Sequence, residues 1–596
     1  MGKFVLIVLL ILSFQVFSQD IVIIHTNDLH SHLNGLSPET EYTPLVKDMD
    51  PTLGGMARIA GYIDNQKELF GDKLLVVDAG DFLMGTLFQT IELNEGFQLN
   101  LMHKMGYEFA TLGNHEFDFG PDSLAKIIRN SMANGPIPQL IFSNYKTSKI
   151  ASDADFVKLF EDNIILPYSI NEKNGYRIGI FSLMGVDADE SISSNQGLQF
   201  ENQKKVARKT ARFLKKKEKV DLVVVLSHCG VAMNKKGKWQ GEDVELAKSV
   251  HDIDLIISGH SHTMLPEAIK AGNALIVQTG HMGLNVGKVE ISFDSYRKPV
   301  FQYQLIEMND NITANAEIQN LIDSKVPQIE NEILADLGLH YQTIVAETSF
   351  NLELDEFHPF ESNLGPFVAN AIHYQLNQNH QIGVDVVLVA SGIIRYNIYK
   401  GNTGMQNIND VFNVMPLGFG GDKIPGFPLG KVYINGGELK KLMELILTVY
   451  SIKPTHFLHF SGMEVECDMS KGIFRKISRI RIGDDLNGYK TIDISKKSSQ
   501  QVSIASNTFL LSFIGQLKKM SFGLVNIIPK NSEGISIENN NYLIDLDPNT
   551  EGIQEAKEWI AIYDYMKSFK DINGNGIPDI PRIYEQKRNA LIMLNQ

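Results

Sequence analysis

Five apolar runs in the first half of this chain each end in small or polar residues and then a His or a carboxylate. No other feature constrains the fold as tightly. They are "IVIIHTNDLHSH" from Ile21, "KLLVVDAGD" ending at Asp81, "EFATLGNHEFD" ending at Asp118, "DLVVVLSHCG" through His228 and "IDLIISGHSH" through His262. Short β-branched runs bounded by turn residues read as buried strands. The stretches between them, such as "GGMARIAGYIDNQKELF" and "ENQKKVARKTARFLKKKEK", carry apolar residues at helical spacing. Strands alternating with helices predict a layered α/β domain whose site lies beyond the carboxyl ends of the strands.

Taken singly, each polar cluster reads as an ordinary turn in which Gly and Asn supply positive φ and the acids face water. Recurrence at five strand ends is what points to a shared site. Imidazoles, carboxylates and one amide suit borderline divalent metals such as zinc, manganese or iron. The candidate ligands outnumber the four of a structural zinc site, so two ions sharing one bridging carboxylate is the economical reading.

The ordered set "DLH", "AGD", "GNHE", "LSHC" and "GHSH" resembles the calcineurin-like metallophosphoesterase superfamily and, within it, the exported 5'-nucleotidase family. The resemblance implies a four-layer α/β/β/α metallophosphoesterase domain followed by a smaller α/β C-terminal 5'-nucleotidase domain. Carried over by motif, Asp28, His30 and His262 hold a first metal, Asp81 bridges, and Asn114, His228 and His260 hold a second. His115 is cast as the imidazole that donates to the phosphoryl or leaving oxygen, with Asp118 orienting it and Glu116 structural. His25, His32 and His281 are read as packing or supporting residues, and Cys229 as an inward-packing neighbour of His228.

The second half continues the resemblance through "ESNLGPFVANAI", "DVVLVASGIIR", "DVFNVMPLG" and "VSIASNTFLL". There it implies Arg395 as a phosphate-binding guanidinium and Phe509 as one of two aromatics that sandwich a base. Ala390, Phe360 and Leu417 stand where the resemblance implies an Asn, an Arg and the stacking aromatic of a "P-F-G", and the family's "GGDG" is missing around Gly515. Phe419 and Phe522 are candidates to restore a stacking face. The expected division is a signal peptide 1–18, a catalytic domain 19–310, a linker helix 311–338 and a substrate-binding domain 339–596.

The resulting expectation is an exported phosphohydrolase, periplasmic or extracellular, that uses two divalent ions and a metal-activated water on nucleotide phosphoesters. The substitutions keep open a non-nucleotide phosphomonoester, or a cyclic or pyrophosphate substrate; a non-catalytic binding protein is a third reading. The start, "MGKFVLIVLLILSFQVFSQD", has a basic residue, a short apolar run and small residues near Ser18, the layout of a signal peptide. No later segment approaches the apolar length of a membrane span. A formal charge of -15 argues against nucleic acid as a partner. With two cysteines far apart, large cores rather than disulfides must hold the chain. "DINGNGIPD", Asp571 to Asp579, spaces oxygens like a calcium loop but has Arg582 where an EF-hand needs Glu, so a calcium loop and a plain Gly-Asn turn both stand.

Overall fold

The computed structural model describes residues 20–594 except 37, 48–50, 147–152, 193–196, 356–357, 451–452, 521–524, 538–541 and 587–590, and the side chains of 515–520. The leader motif and Phe522 lie outside the described residues.

Two sheets stack face to face in the first half. One runs in the order Pro299–Glu307, Asn285–Phe293, Ile21–Thr26, Leu74–Asp78, Phe109–Thr111, Gln139–Ile141, Ile165–Leu166. The other runs Ile269–Ala271, Ala274–Val277, Leu255–Ser258, Leu222–His228, Tyr176–Met184, Ser169–Lys173. The central pairs are parallel, Val22 opposite Leu74 through Thr26 opposite Asp78, and Val224 opposite Leu255 through Ser227 opposite Ser258. Strands buried on both faces read as near-continuous apolar runs, which is why "IVII", "LLVV" and "LVVV" do not alternate.

Ile21, Ile23, Leu75 and Val77 of one sheet meet Ile178, Val224, Leu226 and Ile257 of the other in a core between the sheets. The opposite faces are covered by helices. Met56–Phe70 and Pro121–Asn134 lie outside the first sheet, Gln203–Phe213 and Glu242–Ser249 outside the second, completing four layers, α/β/β/α. Pro121 opens its helix and Gly135 ends it, as the N-terminal Pro and C-terminal Gly preference requires.

The stretch 311–338 takes helical form in pieces, Ala316–Asp323 and Val326–Ile329, followed by tighter and looser turns to Leu337. Pro327 lies in the first turn of the second piece, where its missing N–H costs nothing, and so divides the segment. The smaller α/β unit that follows has a four-stranded sheet in the order Leu429–Asn435, Gln501–Asn507, Val386–Ala390, Leu458–Ser461. Val387 and Val389 face helices Leu364–Tyr374 and Glu558–Lys567, whereas Val386 and Leu388 face helix Gly436–Val449. That helix starts with a reciprocal cap between Asn435 and Glu438.

The two units are knitted together by polar as well as apolar contacts. Glu41 accepts from the backbone N–H groups of Asn402 and Thr403, both at 2.7 Å, and Gln89 donates to the Pro416 carbonyl at 2.8 Å. Phe119 of the first unit meets Phe419 of the second with ring centroids 5.1 Å apart. The 571–579 segment forms a turn in which Asp571 accepts from the N–H groups of Gly574, Asn575 and Gly576, and its Asn573 and Asn575 amides donate to Glu347.

Candidate active site

All the ligand motifs meet at the carboxyl ends of the two sheets. Asp28 and His30 follow Ile21–Thr26, Asp81 follows Leu74–Asp78, Asn114 and His115 follow Phe109–Thr111, His228 ends Leu222–His228, and His260 and His262 follow Leu255–Ser258. Asp28, His30, Asp81, Asn114 and His228 are buried, and the two later histidines are half-buried. Asp28 (φ 53°), His30 (φ 51°), Asp81 (φ 57°), His260 (φ 71°) and His262 (φ 52°) adopt left-handed backbone. Such residues cost on the order of 1–3 kcal/mol each and persist only where surrounding structure overdetermines them, typically at functional sites.

Glu116 is part of that surrounding structure. Its buried carboxylate accepts from the N–H groups of Asp81 at 3.0 Å, Leu83 at 2.9 Å and Gly113 at 2.6 Å, tying two ligand-bearing loops together. Asn27 ties a third: its carbonyl accepts from Thr279 N–H at 2.9 Å and its amide donates to Asp28 at 2.7 Å. This anchors the Gln278–Gly280 turn beside the first motif. Gly113 has no room for a side chain, since a Cβ there would stand 2.2 Å from Asp81 Oδ1.

Ligand-type atoms fall within 4.8 Å of one another in the groups Asp28, His30, His262 and Asp81, His228, His260, and also in His30, Asp81, His115. The donor chemistry fits cations. His30 Nδ1 lies 3.1 Å from the Met84 carbonyl, so in the neutral ring Nδ1 carries the proton and Nε2 presents a lone pair; His228 Nδ1 likewise lies 2.9 Å from the Ala79 carbonyl and donates to it. His30 Nε2 and His262 Nε2 face each other at 2.9 Å. His228 Nε2 is buried and 3.0 Å from Asp81 Oδ2, yet off the line of a hydrogen bond and without any other partner. A positive centre between such groups would satisfy all of them.

Electrostatics follow the crowding. Burial raises Asp28 to about 7. Burial alone would also raise Asp81, but the charges of His228 and His115 outweigh it and hold that carboxyl well below its usual range. Burial would lower His228; the Asp81 carboxylate reverses this and lifts it to about 10. Burial lowers His30, with Arg395 adding to it, and lowers His262, with His281 adding to it, so both stay neutral.

His115 Nδ1 is 2.6 Å from Asp118 Oδ2, the pairing expected from the sequence, while the His115 backbone N–H donates to Asp81 at 2.8 Å. Its ring meets that of His30 edge to face at 5.1 Å. Arg395 extends from the smaller unit to within 3.2 Å of His30 Nε2 and 3.5 Å of His262 Nε2. Phe509, in contrast, is stacked on Phe427 at 5.5 Å and 16°, a partner that sequence reasoning missed. Leu417 is buried in the core, Phe360 packs edge to face on Tyr450, and Phe419 is engaged by Phe119. His281 stacks on His262 at 4.7 Å, His32 on Tyr396 at 5.6 Å and His25 on Tyr303 at 6.1 Å. Cys229 is buried, as its position after His228 suggests.

Comparison with known proteins agrees with this geometry. The Calcineurin-like phosphoesterase family matches residues 21–264, and the 5'-nucleotidase, C-terminal domain family matches residues 343–499. The chain belongs to the 5'-nucleotidase family of calcineurin-like phosphoesterases. Membership makes it a metal-dependent phosphoester hydrolase. It is 26% identical over 492 residues to the 5'-nucleotidase of Rattus norvegicus, covering 78% of each chain. It is 24% identical to the trifunctional nucleotide phosphoesterase protein YfkN of Bacillus subtilis over 82% of this chain and 32% of that protein, so it spans about a third of that relative's length. The 5'-nucleotidase precursor of Thermus thermophilus has the same fold, with a TM-score of 0.69 at 21% identity, covering 97% of this chain and 99% of that one. The sulfate thiohydrolase SoxB of Thermus thermophilus also shares it, with a TM-score of 0.65 at 14% identity over 97% of this chain. The family fold therefore carries more than one chemistry, and the substrate must be argued from the site.

Proposed function

We propose that this 5'-nucleotidase family member is an exported enzyme that hydrolyses nucleotide phosphoesters with two divalent ions, of which zinc and manganese suit the donors. The observation that carries the reading is the meeting of the Asp28, His30, His262 and Asp81, His228, His260 groups beside each other, with Arg395 directed at the first. In this assignment Asp28, His30 and His262 would hold one ion, Asn114, His228 and His260 the other, and Asp81 would serve both. Such a pair supplies an activated water nucleophile and offsets charge on the phosphoryl oxygens.

The chain's own side chains supply the rest. Arg395 offers a bidentate guanidinium to the non-bridging oxygens. His115, its Nδ1–H held by Asp118, turns Nε2 toward the reacting group, where it donates to the phosphoryl or leaving oxygen. Export is supported by the basic residue, short apolar run and small residues of the leader motif; no helix among the described residues is long and apolar enough to cross a membrane. We take 19–310 as the catalytic domain, 311–338 as the linker and 339–596 as the substrate-binding domain, boundaries that enclose both family matches.

A second reading, a phosphoester without a nucleobase, is favoured by one observation: Phe427 covers the Phe509 face and Leu417 replaces the opposite aromatic. Hydrolysis by the mature chain of AMP, UMP, UDP-glucose, a cyclic nucleotide and a non-nucleoside phosphomonoester, followed by chromatography of the products as well as phosphate release, separates the two, with Asp81→Asn as control. Preference for nucleotides supports the first reading; equal turnover of the non-nucleoside ester supports the second. Hydrolysis that survives Asp81→Asn undamped would contradict both.

A further inference from the structure

Asp187 stands outside every ligand motif, yet it lies between the metal ligands and the second domain. It belongs to the short helix Val186–Glu190 that follows the strand Tyr176–Met184. Its backbone is fixed before its side chain touches anything. The N–H groups of Val186 and Asp187 donate to the two oxygens of Glu242, both at 3.0 Å, and Gln203 donates to the same carboxylate.

From that anchored position its two oxygens face different domains. Asp187 Oδ2 is 3.3 Å from His260 Nε2, and Oδ1 is 2.5 Å from Lys453 Nζ. A neutral imidazole has one N–H and one lone pair. With Nε2–H directed at Asp187, the lone pair of His260 is left on Nδ1, which lies 3.0 Å from Asn114 Oδ1 on the side of the Asp81, His228, His260 group. Carboxylates that hold the far nitrogen of a ligating histidine set its tautomer and ring orientation.

Lys453 approaches from the segment that also supports Arg395. The 453–457 turn joins the Ser391–Ile393 turn through a hydrogen bond from Ser391 N–H to the Phe457 carbonyl at 2.9 Å, and Arg395 follows directly. The Lys453 and Asp187 side chains are 43% and 49% exposed, and an ion pair that open contributes little to stability. Its placement, spanning the domains at the back of a ligand, is what calls for an explanation.

We infer that Asp187 is a positioning residue that sets the tautomer and orientation of His260, and that Lys453, docked on its other oxygen, seats the second domain against the metal centre. The inference rests on the two-ion reading above. Its test is manganese binding to the full mature chain, by calorimetric titration and by metal analysis after dialysis, for Asp187→Ala, Asp187→Asn and Lys453→Met, alongside kinetics on the best ester of the substrate panel.

Asp187→Ala should weaken the affinity for one of the two ions about 10- to 100-fold. Asp187→Asn, which retains an acceptor oxygen, should recover part of that loss. Lys453→Met should hold manganese within about twofold of wild type and raise KM several-fold with little change in kcat. Wild-type manganese affinity in Asp187→Ala overturns the positioning role. An unmoved KM in Lys453→Met, or metal loss equal to that of Asp187→Ala, overturns the docking role. A wild-type chain that holds fewer than two ions contradicts the centre itself, whereas two ions held equally by wild type and Asp187→Ala contradict only this inference. Because both side chains are half exposed, melting temperatures should stay near wild type, which keeps folding defects apart from these outcomes.

Discussion

Glu116→Ala isolates what holds the catalytic loops in place. The Glu116 side chain is fully buried and accepts three backbone N–H groups, from Asp81 at 3.0 Å, Leu83 at 2.9 Å and Gly113 at 2.6 Å. Removing the carboxylate strands three buried donors, each worth roughly 1–3 kcal/mol of desolvation, so the loss is at least about 3 kcal/mol. For a domain of this size that corresponds to a fall in Tm of at least about 5 °C. Glu116→Gln keeps one acceptor oxygen but turns an amide N–H toward backbone donors, and should fall between Ala and wild type. Thermal melting of the metal-free chains, followed by metal analysis after reloading, reads both consequences. The alanine variant should melt early and take up less metal, because the loops bearing Asp81 and Asn114 lose their common anchor. A Tm within about 2 °C of wild type, with full metal uptake, would show that Glu116 is not the anchor of these loops.

Other perturbations separate chemistry from support. His115→Gln and Asp118→Asn should lower kcat by about 10²- to 10⁴-fold and leave bound metal unchanged; equal loss of metal would recast His115 as a ligand. Gly287→Ala should cost about 1–3 kcal/mol, since the added Cβ would lie 2.0 Å from His25 Nε2 in a packed interior; an unchanged denaturation midpoint would contradict that. Burial raises Glu558 from 4.5 to about 8, against the opposing hydrogen bond from Asn507. The folded chain thus holds a proton that the unfolded chain releases. Its stabilising contribution is complete below pH 4.5 and is lost as pH rises through about 8, at up to about 1.4 kcal/mol per pH unit. Glu558→Gln should therefore gain on wild type in Tm between pH 5 and pH 9, and a constant difference across that range would argue against the shift.

The catalytic half was legible because its signals are local. A buried parallel strand must be apolar on both faces, and the residues just past its end are free to carry polar groups, so "IVII" before Asp28 and "LIIS" before His260 disclose the strand and point to the candidate site at its end. The pairing of His115 with Asp118 was also within reach, because one short turn brings residues three apart together. Asp187 was not, because "VDADE" looks like any acidic surface helix until the fold sets it against His260 and Lys453. Phe427 was missed for a similar reason. Its ring reaches Phe509 across a turn in which a Cβ on Gly418 would meet that ring at 2.2 Å, a long-range packing relation that no spacing rule encodes. The 311–338 segment showed helical periodicity, and Pro327 within it was the overlooked sign that the helix divides.

On the proposed function, these strand ends hold two ions through one shared carboxylate. Metal analysis of the mature chain after manganese loading and exhaustive dialysis, compared with Asp81→Asn, tests that most directly. Two ions per chain in wild type and loss of both from the variant's high-affinity binding is the predicted result, because in the proposed assignment Asp81 serves both positions. One ion in wild type, or two ions undisturbed by Asp81→Asn, would contradict it.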